Sequence, residues 1–147
     1  MTAQVSETLI YKGKEYPMFT NPLELYLKQN KSIRFQSPHT ACWRGYVGTW
    51  EIKGPDDENL GLYLVDLIGY QNGEVHFGLK DIFPEQDKGV FAHWFSGEIR
   101  CPMGKQIEYV HMGYASKYEH DFLLEFNKGI LVAKKTVSNN LDMTEGE

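Results

Sequence analysis

Trp43-Arg44-Gly45-Tyr46-Val47-Gly48-Thr49-Trp50-Glu51-Ile52 and Val90-Phe91-Ala92-His93-Trp94-Phe95-Ser96-Gly97-Glu98-Ile99-Arg100 point to a β fold more strongly than any other part of the chain. Both alternate aromatic or branched residues with small and polar ones, the period-two pattern of a half-buried strand. Similar runs continue from Thr40 to Asn127, each cut short by a turn dipeptide. Aromatic content of 14% and 14 glycines fit the same class, since strands favour aromatic and β-branched residues and turns need glycine.

Towards the N-terminus, Thr8-Leu9-Ile10-Tyr11 and Glu15-Tyr16-Pro17-Met18 flank Lys12-Gly13-Lys14 and predict an opening hairpin, with Pro17 at an edge. Asn21-Pro22-Leu23-Glu24 predicts a helix start, in which Asn21 caps, Pro22 suits the first turn and Glu24 reaches back. Leu23, Tyr26 and Leu27 then form one apolar stripe that ends at Gln29-Asn30-Lys31. On the first long strand, Tyr46, Trp50 and Ile52 share a face with Arg44, and Trp43, Val47 and Thr49 take the other.

Leu60 to Tyr70 is apolar on both faces around Asp66, and Asn72-Gly73 turns it into Glu74–Leu79. Asp81 to Lys88 predicts a helical turn or loop closed by Gly89, and Cys101-Pro102-Met103-Gly104 a type I turn. Asn127-Lys128-Gly129 predicts a hairpin between Phe122–Phe126 and Ile130–Ala133. The expectation is one antiparallel β domain over residues 1–137, a barrel, roll or two-layer sandwich of about seven or eight strands with one N-terminal helix. Residues 138–147 are acidic and aperiodic and predict a disordered tail.

At 147 residues the chain can bury roughly two thirds of its unfolded surface in a single core. A formal charge of −5 argues against nucleic acid and anionic membrane as partners, because both call for a basic face. Lys134-Lys135 is the longest basic run and reads as two solvated lysines on a terminal strand. The N-terminus has no export pattern and no apolar run nears the ~18 residues of a membrane span, so the expectation is a cytoplasmic chain with Cys42 and Cys101 as thiols.

Five histidines, His39, His76, His93, His111 and His120, lack metal-ligand spacing, and there is no Cys-x-x-Cys. No metal and no cofactor is expected. His93 alternates with Phe91, Phe95 and Ile99 and reads as a half-buried core histidine. Cys42, near His39 and Arg44, reads as a small buried residue in preference to a nucleophile.

The polar residues beside aromatics are the candidate site. Arg44, Trp50, Trp94, Arg100, Tyr114 and Tyr118 are candidate ligand-binding residues, in which arginines held by stacking take a carboxylate or phosphate. Glu98 and His111 are the alternative catalytic acid or base. A surface Glu98–Arg100 pair with a stacked Arg44 explains the same residues without a ligand. His111 to Asp121 is a connection dense in Tyr, His and acid that either lines a mouth of the fold or forms a bulge with satisfied tyrosines.

Trp43-Arg44-Gly45-Tyr46, Thr49-Trp50-Glu51-Ile52, Phe91–Arg100, and His111-Met112-Gly113-Tyr114 with Tyr118-Glu119 resemble segments of a group of small bacterial cytosolic proteins. The resemblance spans roughly Ser32 to Val137 and implies a bacterial origin, with no activity to carry over. The leading functional expectation is a binding protein for a protein partner, of regulatory or toxin-neutralising type, because interfaces favour Tyr, Trp and Arg. The alternative is a binder or hydrolase of a small anionic ligand in the β interior. A homo-oligomer burying aromatic faces is the third.

Overall fold

A computed structural model describes residues 5–29, 35, 42, 44–71, 74–84, 89–108 and 117–139. The elements are β1 (Glu7–Tyr11), β2 (Lys14–Met18), α1 (Leu23–Gln29), β3 (Tyr46–Lys53), β4 (Gly61–Gln71) and β5 (Glu74–Gly78). They continue with α2 (Leu79–Ile82), β6 (Val90–Phe91), β7 (Gly97–Glu108), β8 (Lys117–Asn127) and β9 (Ile130–Ser138). Among the described residues the strands make one nine-stranded sheet with the path β2-β1-β3-β4-β9-β8-β7, and β5 and β6 also pair with β4.

The β class, the opening hairpin and the helix after Asn21 follow the sequence expectation. The strand count is higher and the sheet is not closed. Beside its end strands, Phe19 N–H, just after β2, bonds the Arg100 carbonyl of β7 at 2.7 Å, and Thr20 Oγ1 accepts the Arg100 N–H at 3.1 Å. The pairing is antiparallel except for β1 against β3, which is parallel and sets Leu9 beside Trp50 and Tyr11 beside Ile52. Alternation then turns Tyr46, Gly48, Trp50 and Ile52 of β3 inward, against Leu9, Met18, Leu62, Leu64, Ile99 and Leu124.

Several local expectations are corrected. The aromatic run from Val90 is not one strand. His93 N–H bonds the Phe91 carbonyl and Phe95 N–H the Ala92 carbonyl, so the chain turns after β6 and restarts at Gly97. That turn cancels the alternation, leaving His93 exposed and Trp94 off the face of Glu98 and Arg100. Cys101-Pro102-Met103-Gly104 is not a turn but the middle of β7, paired to β8 up to a register shift after Met103. Pro102 is tolerated because β7 ends the sheet path, where a missing N–H costs least.

The supposed connection His111 to Asp121 is in part strand, since Lys117–Asp121 open β8. Residues 109–116, with His111 and Tyr114, lie outside the described residues, as do Asn72-Gly73 and 140–147. β9 runs to Ser138, one residue into the span expected to be a tail, and Asn139 N–H bonds the Glu119 carbonyl at 2.8 Å. Among the described residues no helix is long and apolar enough to cross a membrane.

Candidate functional site

Among the described residues the most buried charged side chain is Glu7, which carries no motif. Glu7 alternates with Leu9 and Tyr11 on β1, which places its carboxylate on the inward face with no exposure. Parallel pairing brings it beside Gly48 of β3. Its Oε2 accepts the Gly48 N–H at 2.9 Å and Arg44 Nε at 3.1 Å, and its Oε1 accepts Trp50 Nε1 at 2.8 Å. A side chain at position 48 would stand 3.0 Å from Glu7 Oε1 and from Trp50 Nε1, so glycine there makes the room.

Arg44 and Trp50 therefore do come together, on an internal carboxylate. The Arg44 side chain is 5% exposed and its guanidinium lies 5.4 Å from the centroid of the Tyr46 ring. Burial pushes the Glu7 carboxyl above its ordinary value, opposed by the Arg44 charge and the Trp50 and Gly48 bonds. The stacked Arg44 of the sequence reading is present; its carboxylate is supplied by the chain itself.

Arg100 and Tyr118 form a second group at the seam between β2 and β7. Arg100 lies 5.1 Å from the centroid of the Phe19 ring, and Tyr118 meets that ring edge-on at 5.9 Å. Arg100 Nε donates to Asp121 Oδ1 at 2.9 Å, and Asn139 Nδ2 donates to Asp121 Oδ2 at 2.9 Å and to the Tyr118 carbonyl at 3.0 Å. Asp121, not Glu98, is the ion-pair partner of Arg100. Glu98 is exposed, opposite Glu125 on β8, and lines an open groove of about 220 Å³ with Leu123, Ala133, Lys134 and Lys135.

Trp94 stands apart from both groups. Its Nε1 donates to the Pro22 carbonyl at 2.9 Å, and its ring packs 4.8 Å from Tyr26 and parallel to Phe83 at 6.3 Å. With Val90, Phe91 and His93 these rings line a surface groove of about 350 Å³.

Both cysteines are free thiols and buried; Cys42 Sγ donates to the Tyr46 carbonyl at 3.6 Å. Burial, helped by the Asp121 charge, pushes the Cys101 thiol up to about 12. At pH 8 its thiolate is then only about one part in ten thousand. Iodoacetamide followed by peptide mapping is expected to leave Cys101 unlabelled in the folded chain and to label it fully in urea; rapid native labelling would contradict the buried placement. Among the described residues no three His, Cys, Asp or Glu side chains stand together as metal ligands.

The surface feature that neither arginine cluster explains is β9. Residues 130 and 132–138 are exposed, although β9 pairs with β8 from Ile130 to Ser138 apart from a bulge at Val132. Among the described residues its other side meets β4 at Gly61↔Ile130 and through Leu131 N–H to the Leu60 carbonyl. From Val132 to Ser138, among the described residues, no second strand is laddered to it. Ile130, Val132 and Val137 are 44%, 56% and 36% exposed, a concentration of large apolar side chains on one strand.

Register with β8 sorts the strand's other residues. Lys134 lies opposite buried Leu124, and its Nζ donates to the Tyr11 hydroxyl at 2.9 Å. Lys135 lies opposite Leu123 on the outer face. Beside the strand a groove of about 250 Å³ is lined by Tyr11, Lys12, Asp57, Leu131, Val132 and Lys134, among others. No family model, curated protein or solved structure matches the chain.

Proposed function

We propose that this protein is a non-catalytic binding protein that recognises a protein partner, in the manner of a regulatory or neutralising subunit. The observation that carries this reading is the division of labour among its side chains. Arg44 and Trp50 are engaged by Glu7, and Arg100 by Asp121, so the groups best suited to chemistry serve the fold. Exposed apolar residues gather instead on β9, where a soluble monomer gains nothing from showing them.

Immobilised protein incubated in lysate of its source is expected to retain one stoichiometric protein. Val132→Asp/Val137→Asp, which changes only exposed side chains, should reduce that recovery at least tenfold while the melting midpoint stays within a few degrees. Absence of any stoichiometric partner, combined with a rise in melting midpoint on adding small anionic compounds, would overturn the reading in favour of a small-molecule binder.

A further inference from the structure

Six cationic side chains among the described residues sit over aromatic rings, and they fall into two groups. Arg44, Lys53 and Arg100 each also have a carboxylate within 4.0 Å, from Glu7, Glu51 and Asp121. Among the described residues Lys12, Lys14 and Lys134 have no ion-pair partner, and these three gather around the β1–β2 turn. Lys12 Nζ lies 5.6 Å and Lys134 Nζ 5.4 Å from the centroid of the Tyr11 ring, and Lys14 Nζ lies 5.4 Å from that of Tyr16. The hairpin register sets Lys14 directly opposite Tyr11, and both tyrosine rings pack on Phe122.

Tyr11 shares the inward phase of β1 with Leu9, and Tyr16 that of β2 with Met18, so the three ammonium groups lie towards one side of the hairpin. Tyr11 accepts a hydrogen bond from Lys134 Nζ at 2.9 Å, which leaves its own O–H to donate. Lys12, Lys134 and Tyr11 line a groove of about 250 Å³ in which Asp57 is the one acid among the described residues. The Tyr11 bond holds the Lys134 ammonium above its ordinary value, and of the causes the exposed Asp57 contributes least. Glu15 alternates to the outer face, opposite Ile10. We propose that this groove binds a phosphate dianion, free or as a terminal monoester. Lys12 and Lys134 neutralise its charge, the Tyr11 hydroxyl donates to one oxygen, and Lys14 adds attraction from across the hairpin. Ammonium groups take phosphate as point charges, whereas the arginines suited to clasp a planar carboxylate, Arg44 and Arg100, are engaged within the fold. A dianion gains about twice what a monoanion gains from each cation, so the cluster favours it.

The test is an amide-resolved NMR titration of the isotopically labelled full chain at constant ionic strength and about pH 8, where a second phosphate pKa of roughly 6 leaves the dianion. Inorganic phosphate and phenyl phosphate are each expected to bind saturably and to shift amides of Tyr11–Lys14 and Val132–Lys134. The tighter of the two identifies the free ion or the monoester as the source. Phenyl sulfate, of the same shape with one charge, should bind roughly fivefold or more weakly than phenyl phosphate. Lys12→Gln/Lys134→Gln, which changes only exposed side chains, should weaken phosphate binding about tenfold or more. Tyr11→Phe keeps the ring and removes the hydroxyl, and should weaken it roughly threefold to tenfold. Lys135→Gln, next along β9 but on the outer face opposite Leu123, should leave it within about twofold.

An equal loss in Lys135→Gln, equal binding of phenyl sulfate, or shifts spread over lysines elsewhere on the surface would show unspecific charge attraction and overturn the proposal. So would the absence of saturable binding by both phosphates, or a Tyr11→Phe chain that binds as the wild type does. None of these outcomes bears on recovery of a protein partner from lysate, so the phosphate site and the partner reading fail separately.

Discussion

Glu7→Gln is expected to cost about 1–3 kcal/mol, because one of the donors gathered on the carboxyl is left without its acceptor inside the core. For a chain of this length that corresponds to a fall in melting midpoint of several degrees. Glu7 Oε1 and Oε2 between them accept Arg44 Nε, Trp50 Nε1 and the Gly48 N–H, all donors. Glutamine replaces one of those acceptor oxygens by an NH2 group, so a donor meets a donor inside the core. The double variant Glu7→Gln/Arg44→Met should lose less than the two single variants summed, by about 0.5–3 kcal/mol of coupling.

The same carboxyl has a pH signature. Its folded-state value is raised above 4.5, so the folded chain holds that proton more tightly than the unfolded chain. The stabilisation from Glu7 is thus full below pH 4.5 and is lost as pH rises through the raised value. Measured relative to Glu7→Gln, wild type should gain stability as pH is lowered towards 4.5. A gap between the two proteins that narrows on acidification would contradict that direction.

Gly129→Val is the second large effect expected. Gly129 follows Lys128 in the tight turn between β8 and β9 and has φ +85°, a conformation that a β-branched residue adopts only with strain. Its carbonyl accepts the Leu62 N–H at 2.8 Å and its N–H bonds the Phe95 carbonyl at 2.8 Å, tying the turn to β4 and to the turn after β6. A Cβ there would fall 2.6 Å from the Ala92 carbonyl oxygen and 2.9 Å from the Phe91 ring. Backbone strain and overpacking together should cost about 3–5 kcal/mol in chemical denaturation. Gly13→Val, at a turn glycine with φ +78° but nothing near its Cβ, separates the two contributions and should lose only the strain part.

The β class was legible because alternation survives in Tyr46–Ile52 and because Asn127-Lys128-Gly129 is a turn wherever it occurs between such runs. The helix after Asn21 was legible for the same local reason. What alternation cannot report is an interruption made by the backbone. Val90–Arg100 has an unbroken apolar period, yet hydrogen bonds from His93 and Phe95 fold it back on itself. His93 and Trp94 were misplaced together for that one cause.

Turn chemistry failed in the opposite way at Cys101-Pro102-Met103-Gly104, where pairing with β8 overrides a local preference at a sheet edge. The extension of β9 from Ala133 to Ser138 was hidden likewise, since Lys134-Lys135-Thr136 has no apolar period and is held as strand by β8.

The candidate site was legible in its arginines and not in their partners. Arg44 shares a face with Tyr46 and Trp50 as alternation says, but the carboxylate it meets lies 37 positions earlier, across a parallel pairing that no local pattern announces. A signal did exist: Glu7 sits two residues before Leu9 and four before Tyr11, the phase of an inward side chain. Arg100 found Asp121 and not Glu98 for a related reason: Asp121 reaches it diagonally across the β7–β8 pairing, where Arg100 faces Leu123, and that register is not written in the local pattern.

Recognition at β9 would be seen amide by amide in residue-resolved hydrogen exchange of the full chain, with and without the stoichiometric protein recovered from lysate. At a partner concentration of about 100 times its dissociation constant, exchange should slow by up to about a hundredfold on β9. Protection that appears instead around Phe91, His93 and Trp94, or nowhere on β9, would contradict the account.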